Sequence, residues 1–123
     1  MTLNTTKKNR KQNAWKQLSD GRLDRAIFLD FEQYQQGPPV LAGVQVDGHF
    51  DQVVFDDRLA SAAHHMDLKL VPVSDWAQAL VDLAIRDDRR VVAFSETEIE
   101  SLTELGIVLP PKLFVNARVL AKK

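Results

Sequence analysis

The chain contains no cysteine. It therefore has no disulfide framework and no thiolate metal site, an absence that fits a reducing cytoplasm. No apolar run approaches the ~18 residues that mark a membrane-spanning helix. The basic amino end is not followed by the apolar core of a secretory signal. With only five glycines, no glycine-rich phosphate loop is present. Ser61, Ser74, Ser95 and Ser101 lack a nucleophile-elbow setting, which argues against a Ser-His-Asp hydrolase. The three histidines are His49, His64 and His65. No His or Glu stands four residues after His64 or His65, so the pair is not a zinc motif. All three read as surface or packing residues. No internal repeat is visible.

The 123 residues suffice for one domain with one core. Hydrophobic residues make up 45% and charged residues 27%, as in ordinary soluble domains. The net charge of -1 hides an asymmetry. Residues 1–26 carry Lys7, Lys8, Arg10, Lys11, Lys16, Arg22 and Arg25 against Asp20 and Asp24. The remainder carries nine basic and fifteen acidic residues. The expected division is a basic polar arm over 1–20 and one domain over 21–123. Such an arm can contact phosphate or simply stay solvated. Ala14, Trp15 and Leu18 suggest a short helix, with Trp15 as a packing residue.

The apolar run Ala26-Ile27-Phe28-Leu29 marks a first strand from about Arg25 to Phe31. Gln35-Gln36-Gly37-Pro38-Pro39 reads as a turn. A second strand is expected over Val40–Val46 and a third over His49–Phe55. Between them, Asp47-Gly48 is a strong two-residue hairpin signal. Phe50, Val53, Val54 and Phe55 are expected to supply apolar area. Asp56-Asp57 suits the cap of a short helix. Leu68–Val73 reads as extended.

Ser74 is expected to cap a longer helix with Trp76, Leu80, Leu83 and Ala84 on one face, widened by Val81 and Ile85. Val91-Val92-Ala93-Phe94 is apolar enough for a strand buried on both faces. Ser95 opens another helix that Gly106 ends. Leu113-Phe114-Val115 forms a last strand. The expectation is an α/β fold: a three-stranded antiparallel meander, then alternating helices and strands in one mixed sheet.

Chemistry concentrates at Asp30-Phe31-Glu32. Side chains at i and i+2 of a strand share a face. Asp30 and Glu32 would then stand together where an apolar strand runs out. Two carboxylates so placed repel unless a cation, a base or a proton holds them. Mg²⁺ or Mn²⁺, hard ions that prefer oxygen, are natural candidates. The alternative is a solvated pair, or one paired with Arg25 or a neighbouring Lys. Further on, Ser95-x-x-Glu98 fits a capping box, in which Ser95 takes the amide of residue 98 and Glu98 that of residue 95. Glu98 would also start a helix at a strand end, within reach of Asp30.

Three pieces in order resemble the ribonuclease H-like superfamily: Ile27-Phe28-Leu29-Asp30-Phe31-Glu32, Val91-Val92-Ala93-Phe94-Ser95-x-x-Glu98, and Leu113-Phe114-Val115-Asn116. The nearest likeness is to the predicted 3′–5′ exonuclease (YprB-type) branch of the DEDD nucleases, over roughly residues 25–120. The resemblance implies a metal-dependent nuclease that hydrolyses nucleic-acid phosphodiesters by a two-metal mechanism. Asp30 and Glu32 would hold the ions, with Asp30 bridging both. Glu98 would be the third catalytic carboxylate. Asn116 stands where a further Asp is common. The family's last motif, a His or Tyr four residues before an Asp, has no match after Asn116. The domain is therefore expected to be truncated or degenerate. The alternative implied is an inactive ribonuclease H-like module that binds nucleic acid or a protein. Phe28-Leu29-Asp30 also resembles the nucleophile strand of haloacid dehalogenase phosphatases. Glu32 stands where that family has Asp or a small residue, and no matching lysine motif follows.

Overall fold

The structure is a computed structural model that describes residues 23–35 and 37–121. The expected basic arm and the short helix around Trp15 lie outside the described residues.

Strand β1 (Ile27–Gln33) shows the period of two that its sequence carries. Ile27, Leu29 and Phe31 are buried on one face, while Asp30 and Glu32 are exposed on the other. Strands β2 (Pro39–Val46) and β3 (His49–Val54) form the hairpin. Asp47 and Gly48 join them with φ of 53° and 77°, as a turn with two left-handed central residues requires. Next comes a 3₁₀ turn, Asp57–Leu59, whose Arg58 N–H is accepted by Asp56. It runs into helix α1 (Ala60–His65) and the short strand β4 (Lys69–Leu70).

Helix α2 (Val73–Arg86) precedes strand β5 (Val91–Ala93), and helix α3 (Thr97–Glu104) precedes strand β6 (Phe114–Asn116). Helix α4 (Arg118–Ala121) follows. Gly106, at φ 76°, lets the chain leave α3. The Gly106 and Ile107 N–H groups donate back to Thr103 O and Leu102 O, which satisfies two carbonyls of the last turn.

The six strands form one mixed sheet in the order β4-β3-β2-β1-β5-β6. β1, β2 and β3 are antiparallel neighbours, β5 and β6 run parallel to β1, and β4 runs parallel to β3. The expected α/β class, with a meander followed by alternating helices and strands, is what the sheet contains.

The main core lies on the Ile27-Leu29-Phe31 face. Ala42, Val53 and Val91 from the sheet meet Ala77, Leu80, Val81 and Ala84 of α2 and Leu102 of α3. Phe31, Phe55 and Trp76 pack with ring centroids 5.4–6.3 Å apart. Each fully buried aliphatic side chain here contributes about 1.5–3 kcal/mol relative to exposure. The opposite face has a smaller cluster of Ala26, Val92 and Val115, with Phe28 and Ala117 against it.

At the amino ends of β1 and β5, Arg89 bonds Asp47 at 2.9 Å and the Arg25 carbonyl at 3.0 Å. Arg25 donates to the Asp87 carbonyl at 2.7 Å. This corrects the option that Arg25 pairs with Asp30 and Glu32, because its guanidinium is engaged at the other end of the strand.

Other local expectations change. Ser74 sits inside α2, whose cap is Pro72 with no side-chain bond. Ile85 and Phe50 are exposed rather than packed. Phe94 falls beyond β5 and is 69% exposed, so the uniformly buried strand ends at Ala93.

Candidate functional site

The site forms because β1 outruns its neighbour. The ladder to β5 pairs only Ile27 with Val91 and Phe28 with Val92. β5 ends at Ala93, and the chain turns into α3. Past Phe28 the β5 side of β1 therefore lacks a strand partner. α3 lies there instead and fills the gap with side chains.

Glu98 is the principal one. It is only 4% exposed, in the first turn of α3. Its Oε2 accepts the Phe31 N–H at 3.2 Å. Its Oε1 accepts the Ser95 hydroxyl at 2.9 Å. One turn on, the buried Ser101 donates to Gln33 Oε1 at 3.2 Å. Gln33 Nε2 in turn donates to the Gln35 carbonyl at 3.2 Å. One face of α3 thus fastens the last residues of β1. A buried N–H left unpaired costs about 1–3 kcal/mol, so the Glu98 bond has structural weight.

The capping box takes a different form from the one expected. Ser95 Oγ accepts the Thr97 N–H at 3.2 Å, not that of residue 98. Glu98 bonds the Ser95 hydroxyl and a distant strand amide rather than the Ser95 amide. The helix begins at Thr97, so Ser95 lies one residue before the cap position at Glu96. From that place its hydroxyl donates to the carboxylate of Glu98 in the first helical turn.

Asp30 and Glu32 do share a face at the end of β1. Their cross-strand neighbours on β2 are Gly43 and Leu41. The Asp30 carboxylate is the main cause holding the Glu32 carboxyl above its ordinary range. Hydrogen bonding with Asp30, slight burial and the Glu98 charge push the same way. Glu32 therefore feels both of the other carboxylates. The pair is exposed and open to water, whereas Glu98 is enclosed with both oxygens engaged. Among the described residues, no group of three His, Asp or Glu is placed to hold a metal ion.

Asn116 ends β6 and pairs with Ala93 rather than with β1. Its Nδ2 donates to Glu96 Oε1 at 3.1 Å, and its Oδ1 accepts the Arg118 N–H at 3.1 Å. It ties the starts of α3 and α4 together. Glu96 and Gln33 carry no sequence signal for these contacts, and Ser101 was singled out only as a serine without a nucleophile elbow. Ser101 carried a signal, since it follows Glu98 by three residues on one helix face.

Gly43 deserves its place beside Asp30. A Cβ there would come 3.3 Å from the ring of Phe50, which lies across it while 60% exposed. The open face around the acidic pair thus has an aromatic border on the β3 side. No helix among the described residues is long and apolar enough to cross a membrane. No family model, no curated protein and no solved structure matches this chain.

Proposed function

We propose that the chain is a ribonuclease H-like domain of nuclease descent, working in the cytoplasm. In this reading Asp30 and Glu32 hold Mg²⁺ or Mn²⁺ against a nucleic-acid phosphodiester. The observation that carries it is the exposed carboxylate pair on the central strand, with the Glu32 carboxyl raised by Asp30. A raised carboxyl is one that gains from a proton or a cation. The sheet order, with β1 between the antiparallel hairpin and two parallel strands, adds support.

The donor set fits a hard cation as two carboxylate ligands with water completing the shell. A bound divalent ion would supply Lewis-acid polarisation of the phosphoryl group and acidify water. The chain's own residues do the positioning. β1 fixes the spacing of Asp30 and Glu32, and Glu98 holds the backbone between them through the Phe31 amide. Glu98 enters the reading as this support, not as a free third ligand.

A second reading, a non-catalytic module that binds nucleic acid or a protein, is favoured by the engagement of Glu98 and by the neutral Asn116. Titration calorimetry with Mn²⁺ on wild type and Asp30→Ala separates the two. The nuclease reading expects binding in wild type that disappears in the variant, and Mn²⁺-dependent cleavage of a labelled single strand. Absence of Mn²⁺ binding in wild type rejects it.

A further inference from the structure

Two residues beyond Glu32, the chain presents Tyr34, a residue 61% exposed. The Arg58 guanidinium lies over that ring, 5.8 Å from its centroid. Arg58 is not a loose surface cation. Asp56 grips it through Nε at 3.0 and 3.1 Å and through Nη2 at 2.6 Å. The pair opens on a groove of about 540 Å³ whose walls include Pro38, Pro39, Phe55 and Asp57. That volume is within the range of small-ligand sites.

We propose that Tyr34 and Arg58 form a stacking site for one nucleobase of a single-stranded nucleic acid; the substrate class rests on the function proposed above. A phenol ring and a guanidinium plane are both surfaces on which bases stack without regard to sequence. The Asp56 grip prepays the ordering of the long Arg58 side chain, so little rotamer freedom is lost on binding. An anion is disfavoured in the groove. Asp56 already offsets the Arg58 charge, Asp57 lines the wall, and Asp30 and Glu32 lie at the same end of β1. The uncharged base is the part of a nucleotide that suits it.

The site is mechanically joined to the acidic pair. Gln33 stands between Glu32 and Tyr34, and its amide links Ser101 of α3 to the Gln35 carbonyl. The Tyr34 carbonyl accepts the Gly37 N–H at 2.9 Å. The backbone that carries the ring is therefore tied to the same helix that holds the Phe31 amide. Phe55, which lines the groove, packs on the Phe31 face of the sheet, so a stacked base would sit at the same end of β1 as Asp30 and Glu32 but toward the other face.

The test is an adenosine titration of the full chain without metal, followed by NMR at the Tyr34 amide and the Arg58 Nε–H. The expected result is a saturable shift of both. Affinity should fall about tenfold or more in Tyr34→Ala, in line with the loss of one stacked base. It should return in Tyr34→Phe and be unchanged in Asp30→Ala. No saturable shift, or a shift unaltered in Tyr34→Ala, overturns the proposal. So does a proline-rich peptide that moves these resonances where adenosine does not. Adenosine binding in a chain that takes no Mn²⁺ supports the base site while rejecting the nuclease. Mn²⁺-dependent cleavage unaffected by Tyr34→Ala does the reverse.

Discussion

The Glu98 carboxylate accepts the backbone N–H of Phe31, 67 residues earlier in the chain, at 3.2 Å. A helix side chain there does what the next strand does lower down the sheet. Replacing Glu98 with Ala leaves that amide and the Ser95 hydroxyl without their acceptor. The expected loss is roughly 1–3 kcal/mol. Urea unfolding should show a lower midpoint with an unchanged slope. Glu98→Gln retains an acceptor oxygen and should lose less. Equal stability of Glu98→Ala and wild type would remove Glu98 from the support of β1.

Leu102 sits on the same helix, fully buried in the main core. Leu102→Ala is expected to cost about 2–5 kcal/mol by lost burial and a residual cavity. A loss below 1 kcal/mol in the same urea experiment would mean that α3 docks through its polar bonds alone.

Glu32 and Asp47 should respond to pH with opposite signs. The Glu32 carboxyl is raised, chiefly by Asp30, so the folded state binds its proton more tightly than the unfolded state. Its favourable contribution is present at low pH and lost as pH rises through the raised value. At neutral pH Glu32→Gln should therefore raise the melting temperature, with the gain shrinking on acidification. Saturating Mn²⁺ should raise wild type in the same direction. A variant less stable than wild type at pH 7 would contradict the repulsion.

Asp47 is lowered, first by its hydrogen bond from Arg89. Its contribution is present above the ordinary carboxylate range and lost as pH falls through the lowered value. Arg89→Met removes the bond and releases the Arg25 carbonyl as well. Its melting temperature should fall at pH 7. The gap to wild type should narrow as pH falls through the lowered Asp47 value. A gap independent of pH would assign the effect to the Arg25 carbonyl.

Much of this arrangement was legible where causes are local. Alternation in Ile27–Glu32 put both carboxylates on one face, and Asp47-Gly48 marked its hairpin. The pairing of Ser95 with Glu98 was visible as a spacing, but its geometry was not. That geometry follows from where β5 stops, which depends on its neighbours in the sheet rather than on residues 95–98. Apolar type suggests burial for Phe94 and apolar area from Phe50. Phe50 instead lies over the bare backbone of Gly43, and Phe94 begins a turn. The Tyr34–Arg58 contact joins residues from two separate loops, and neither residue carries a sequence signal for the other. The mixed α/β sheet follows from the order of strand and helix signals, while the ribonuclease H-like reading and its metal chemistry rest on the experiments above.

Because the β1–β5 ladder ends at Phe28, the Phe31 amide is sheltered by a side chain and not by a strand. Its hydrogen exchange therefore reports the docking of one helix, separately from the sheet as a whole. When α3 lifts away, this amide meets solvent while those of Ile27 and Leu29 remain covered. A ligand that recruits the Glu98 carboxylate would produce the same signal without unfolding anything. A single proton at Phe31 thus keeps time for the opening of the acidic end.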